Sequence, residues 1–170
     1  MVLALATARP DLLRSVTTIE GGFLDAGVSD ATLAALASFG PIIREANAQF
    51  AAGNASEGAR LFLEYALGPE WYGRWSEPAK RIALDNARAF GRRPEAGLSC
   101  AETSRISVPT LLMIGSDTPP HLRAMMQGVQ SCVPGIETVE IEGASHTVHV
   151  DNPREFVEAL LEFVGKYSAP

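Results

Sequence analysis

The sequence predicts an α/β fold, a doubly wound and mostly parallel sheet interrupted by a helical insert. Three observations carry this. Residues 108–115 form a continuous apolar run of strand length, the pattern of a strand buried on both faces. The last third then alternates strand, helix, strand and helix, which requires right-handed crossovers onto a parallel sheet. Between these parts, from about residue 21 to about residue 101, the pattern is helical and nowhere alternates like a strand. The expected domains are a core from residues 1–20 and 107–170 and an insert from 21–106.

Taken in order, the N-terminal run with Val2, Leu3, Leu5 and Ala6 reads as the tail of a buried helix. Arg9-Pro10-Asp11 ends it, because the residue before proline avoids the helical region. No positive segment precedes the run, and it is too short for a signal peptide. Residues 15–19, Ser-Val-Thr-Thr-Ile, are β-branched and read as a short strand stopped by Gly21-Gly22. In the insert, Pro41 is expected to open a helix carrying Ile42, Ile43, Ala46 and Phe50 that Gly53 closes. Ser56 is expected to cap the next, through Leu61, Phe62 and Tyr65 to Gly68. Residues 69–75 read as an aromatic-rich connection, and Glu77-Pro78 as the start of a helix with Ile82, Ala83 and Phe90 on one side.

After the buried strand, Pro119-Pro120 opens a helix with Leu122, Met125, Met126 and Val129 at helical spacing. The strand at residues 136–141 follows. Asn152-Pro153 then opens the last helix, with Asn152 and Glu155 suited to a capping box and Pro153 to the first helical position. Its apolar residues Phe156, Val157, Leu160, Leu161 and Val164 are expected inward. Arg154, Glu155, Glu158 and Glu162 are expected outward.

Composition narrows the function. At 170 residues and 46% hydrophobic, the chain can bury one real core. The net charge of −6 is spread out, with no basic stripe, so nucleic acid is not an expected partner. No apolar run is long enough to cross a bilayer, so no membrane partner is expected either. Cys100 and Cys132 lack metal or redox spacing and read as lone buried thiols of a reducing cytosol, which suggests a cytoplasmic protein. No metal or other cofactor is implied.

At this point the chain resembles the C-terminal part of an α/β-hydrolase-fold enzyme with a helical cap. The resemblance rests on residues 2–16 as the helix behind the nucleophile elbow with the start of the strand after it, and on residues 108–115 as the penultimate strand. Gly143-Ala144-Ser145-His146, followed by Asp151-Asn152-Pro153 and Phe156, is similar to the catalytic-histidine loop and last helix. The resemblance implies that His146 is the general base, which takes a serine proton and returns it to the leaving group. His121 and His149 lack such a setting and read as structural or exposed.

Two carboxylates are open as the acid that holds the imidazole. Asp117, in Gly115-Ser116-Asp117-Thr118, follows the penultimate strand, one place earlier than the family's usual pattern, and reads equally as a turn residue before Pro119. Glu20 ends the strand after the elbow helix, a position that haloalkane dehalogenases use, and reads equally as a solvated loop carboxylate. The reading leans slightly to Glu20, because a carboxylate ending a buried strand sits at the ligand-facing rim of an open sheet.

The nucleophile is absent. No G-x-S-x-G elbow occurs anywhere in the sequence, and by resemblance it would end a few residues before Met1. The chain is therefore expected to be a fragment, inactive alone, of a hydrolase acting on a small apolar ester or related carbonyl compound. Non-catalytic binding protein or remnant is the alternative, and a haloalkane-dehalogenase-like hydrolase a weaker one. Trp71, Tyr72 and Trp75 could line an acyl pocket or simply pack between helices. Without the nucleophile strand, the strand before Glu20 has an open edge, which invites self-association.

Overall fold

The computed structural model describes residues 2–22, 30–86 and 98–167. The chain divides into two compact units, residues 1–29 with 97–170, and residues 30–96.

The first unit is built on a three-stranded parallel sheet in the order β1-β2-β3, with β1 at Val16–Ile19, β2 at Thr110–Gly115 and β3 at Glu137–Ile141. Every residue of β2 is buried, as the apolar run Leu111 to Ile114 requires, and the one polar side chain, Thr110, donates its hydroxyl to the Val108 carbonyl at 2.9 Å. Its side chains alternate between two helical layers. Leu112 and Ile114 pack with Leu122 and Met126 of the helix Pro120–Cys132. On the same face Val16 packs with Leu3 and Ala6 of α1 (Val2–Ala8) and with Val129 and Val133. Leu111 and Met113 point the other way, onto Phe163, Phe156 and Leu160 of the last helix, Pro153–Tyr167. The sheet is thus wound on both faces, as the sequence predicts.

The second unit is helical: α2 (Asp30–Ala51), α3 (Ala55–Leu67), α4 (Pro69–Arg74) and α5 (Glu77–Asp85). Three details differ from the sequence reading. Pro41 lies inside α2 and does not open a helix. A proline inside a helix removes one N–H, and the preceding Gly40 has no Cβ to crowd its ring. The cap of α3 is Asn54 instead of Ser56, since the Gly58 N–H already bonds to the Asn54 carbonyl at 3.0 Å. Residues 69–74 are a helical turn with Pro69 at its first position, where a missing N–H costs nothing. Gly53 and Gly68 end α2 and α3 with φ of 82° and 84°. Within this unit Leu63 and Leu67 pack against Trp75 and Ala83, whereas Ile82 is exposed. Phe90 lies outside the described residues.

Numbering continues with α6 (Cys100–Thr103), α7 (Pro120–Cys132), α8 (Val148–Asp151) and α9 (Pro153–Tyr167). Ser99 and Glu102 form a reciprocal capping box on α6. This helix carries a correction. Cys100 and Cys132 are joined in a disulfide, with Cα atoms 5.1 Å apart. The first residue of α6 meets the last residue of α7, a juxtaposition that linear spacing does not reveal. Disulfides persist in oxidising compartments, so the expectation of lone thiols in a reducing cytosol loses its basis. No helix among the described residues is long and apolar enough to cross a membrane.

The last helix carries a second correction. Phe156, Leu160 and Phe163 pack inward, but Val157, Leu161 and Val164 are 46%, 65% and 37% exposed. At about 100° per residue these three lie on one flank of α9. The opposite flank, with Glu155, Glu158, Glu162 and Lys166, borders a groove against Glu137 and Val139 of β3. Hydrogen bonds from Lys166 and then Tyr167 hold the Glu137 carboxyl below its ordinary range. The apolar flank therefore faces the β1 side of the sheet. Among the described residues β1 pairs only with β2, and Ile19 is 40% exposed.

Candidate active site

The ends of β1, β2 and β3 converge at their carboxyl edge. β1 runs into Glu20, whose N–H still bonds to the Met113 carbonyl at 2.9 Å and so extends the ladder by one residue. There the backbone turns sharply, with Glu20 at φ 51°, the one described non-glycine residue in the left-handed region. Such a backbone costs on the order of 1–3 kcal/mol and collects at functional sites. Gly21 permits the turn, because a Cβ there would collide with the Thr18 hydroxyl.

The strained residue points its carboxylate inward. Glu20 is 6% exposed, and its side chain only 1%. One oxygen, Oε1, accepts from the Gly115 N–H and from the Thr118 hydroxyl, both at 2.6 Å. The other, Oε2, lies 3.1 Å from Nδ1 of His146. A buried carboxylate needs such donors, because leaving it unpaired would cost several kcal/mol.

His146 is brought to this carboxylate by the loop after β3. Gly143, at φ 62°, starts the loop and donates its N–H to the Ser116 hydroxyl at 2.8 Å. The Asp117 N–H bonds to the Ala144 carbonyl at 2.8 Å. Asp151 closes the far end, accepting from the Ser145 N–H and the Thr147 hydroxyl, both at 3.0 Å. Asn152 and Glu155 then bond reciprocally at the start of α9. Gly115 is required for this approach, because a Cβ there would collide with the carbonyls of Ala144 and Ser145. With a carboxylate accepting at Nδ1, that nitrogen carries the proton of the neutral ring, and Nε2 keeps its lone pair. The His146 side chain is 31% exposed, enough for another group to meet the ring.

The structure brings together Glu20 and His146 but not Asp117. Asp117 is exposed, and among the described residues its carboxylate accepts only from the neighbouring Ser116 hydroxyl at 3.2 Å. Trp75 packs with Leu63 and Leu67, while the side chains of Trp71 and Tyr72 lie outside the described residues. His121 is fully buried at the start of α7, and His149 is exposed with its ring centroid 6.0 Å from that of Phe156. Among the described residues no group of three or more His, Cys, Asp or Glu could hold a metal ion. Sequence reasoning missed Gly115, Thr118 and Asp151. Only Asp151, in the Asp-Asn-Pro run, carried a local signal.

A profile of the alpha/beta hydrolase family matches residues 2–159. The chain belongs to this family. Solved structures agree on the fold. MGS-M2, an alpha/beta hydrolase from a Medee basin deep-sea metagenome library, is 18% identical with a TM-score of 0.66, over 96% of this chain and 60% of its own. Carboxylesterase CesB (YbfK) from Bacillus subtilis is 17% identical with a TM-score of 0.62, over 94% and 54%. NosK from Streptomyces actuosus is 25% identical with a TM-score of 0.54, over 99% and 65%. The chain thus spans 54–65% of the length of these three proteins. No curated protein matches it.

Proposed function

We propose that this chain is the acid-and-base part of a hydrolase that cleaves a small apolar ester or related carbonyl compound through a serine ester, with Glu20 as the acid and His146 as the base. The observation that carries the reading is the 3.1 Å contact between Glu20 Oε2 and His146 Nδ1, with the partly exposed ring leaving Nε2 for a nucleophile. Glu20 fixes the ring and stabilises the imidazolium, while Nε2 takes and returns the proton. The serine and its oxyanion donors belong to a segment this sequence does not contain, in keeping with the part of each solved hydrolase that the chain does not span.

The coding sequence upstream of Met1, read in the same frame, tests this. A G-x-S-x-G ending within a few codons is the expected result. An aspartate in place of the serine would favour the dehalogenase-like reading, for which the position of Glu20 speaks. A stop codon or unrelated sequence would favour a non-catalytic short protein. The chain alone is expected not to hydrolyse short-chain p-nitrophenyl esters above background. A clear rate that disappears in His146→Ala would overturn this and reveal a nucleophile within the chain.

The chain alone is also proposed to associate with itself through β1. Among the described residues its second edge has no strand partner, and Ile19 with the flank of Val157, Leu161 and Val164 adds exposed apolar surface. Light scattering after size exclusion is expected to show a dimer or larger species that Ile19→Lys shifts toward monomer. A monodisperse wild-type monomer with a sharp melt would show that the sheet needs no such cover.

A further inference from the structure

We infer that Thr118 is a positioning residue for the acid, and that its hydroxyl holds one oxygen of the Glu20 carboxylate so that the other faces His146. The inference rests on the Glu20–His146 pairing proposed above and goes one residue further. Glu20 has a flexible side chain on a turned backbone, and its carboxylate can rotate or swing unless something holds it. Two donors hold it, the Gly115 N–H and the Thr118 Oγ1, both 2.6 Å from Oε1. Facing a carboxylate, a hydroxyl can only donate, and bonds to an ionisable acceptor are the strong ones. With Oε1 held twice, the carboxylate cannot swing, and Oε2 is left aimed at Nδ1.

Thr118 can do this because it is itself fixed. It is 5% exposed, and its N–H bonds to the Gly115 carbonyl at 3.2 Å, closing a tight turn. Arg123 braces that turn from α7, donating from Nη2 to the carbonyls of Gly115 (2.8 Å) and Ser116 (3.0 Å). Its other terminal nitrogen, Nη1, pairs with Glu140 of β3 at 2.7 Å. The hydroxyl therefore sits on a turn anchored to two strands and a helix, rigid support of the kind a site needs. What it controls is the imidazole tautomer. If Oε2 moves off Nδ1, the ring loses its reason to keep the proton there, and Nε2 is no longer a committed base.

Magic-angle-spinning NMR of the full chain labelled with [15N]histidine tests this in any state of assembly. It is run at a pH where imidazoles are neutral, with His146 assigned by its loss in His146→Asn. The wild type is expected to show one tautomer, protonated at Nδ1. Thr118→Val should give a mixture, and Thr118→Ser should restore the single form. Thr118→Ala serves if the valine variant fails to fold. An unchanged tautomer in Thr118→Val or Thr118→Ala would overturn the inference, as would a serine variant that behaves like valine. Glu20→Ala separates the two levels. If it scrambles the tautomer while loss of the Thr118 hydroxyl does not, the pairing stands and Thr118 has no part in it. If Glu20→Ala also changes nothing, the pairing itself fails.

Discussion

In an enzyme that joins this chain to a nucleophile-bearing segment, Glu20→Gln is expected to lower kcat by up to about 10⁴-fold, the scale of loss at a triad acid. Asp117→Asn should do little by comparison. Glutamine keeps the size of the side chain but not its charge, so it cannot stabilise the imidazolium that forms when His146 takes a proton. It also replaces one of two acceptor oxygens with a donor. Oriented to keep its oxygen toward Gly115 and Thr118, it turns an NH2 group toward Nδ1 and favours the wrong tautomer. Oriented the other way, it sets that group against two donors. Asp117 has no such position, since its carboxylate is exposed and, among the described residues, bonded only to Ser116. Steady-state kinetics of both variants decide it. A large loss in Asp117→Asn with little in Glu20→Gln would mean that the acid–base pairing rearranges when the nucleophile is present.

The parts of this site that were legible in the sequence are those whose environment is set by their own element. β2 reads as buried because Leu111 to Ile114 are apolar on both faces, and a strand flanked by two helical layers has no polar face to show. Glu20 reads as a candidate because it ends a β-branched run, so its place at the sheet rim follows from the strand. Thr118 gives no such signal, since its partner is Glu20, 98 residues earlier. A threonine before two prolines looks like any turn residue. Val157, Leu161 and Val164 show a different limit. Helical periodicity marks them as apolar and on one side, but Phe156, Leu160 and Phe163 occupy the adjoining stripe, and that one takes the sheet. A repeat of 3.6 residues cannot say which of two neighbouring stripes is covered by which layer. Pro41 shows a third limit, since a proline signal is strongest at a first turn, whereas here the helix runs through it.

The disulfide is the feature that sequence spacing concealed, and its removal should have the largest effect on stability. The bridge closes a loop of sequence separation 32. Chain-entropy arguments give about 3.7 kcal/mol for a loop of that size, and losses on removing native disulfides run about 2–5 kcal/mol. The loop also has a particular content. It starts at α6, passes through β2 and the Gly115–Thr118 turn, and ends with α7, so it carries both donors that hold Glu20. Opening it frees no contact at the site directly, but it gives the unfolded segment more conformations to lose when the site forms. Cys100→Ser with Cys132→Ser is therefore expected to cost about 2–4 kcal/mol, and reduction of the wild type should cost a similar amount. The measurement is urea unfolding of wild type and double variant with and without reductant, together with alkylation of the unreduced, unfolded chain. Protected cysteines and a reductant-sensitive midpoint in the wild type alone are the expected pattern. Two alkylatable thiols, and midpoints indifferent to reductant, would mean that the two cysteines are neighbours without a bond. The reducing-cytosol reading of Cys100 and Cys132 would then regain its basis.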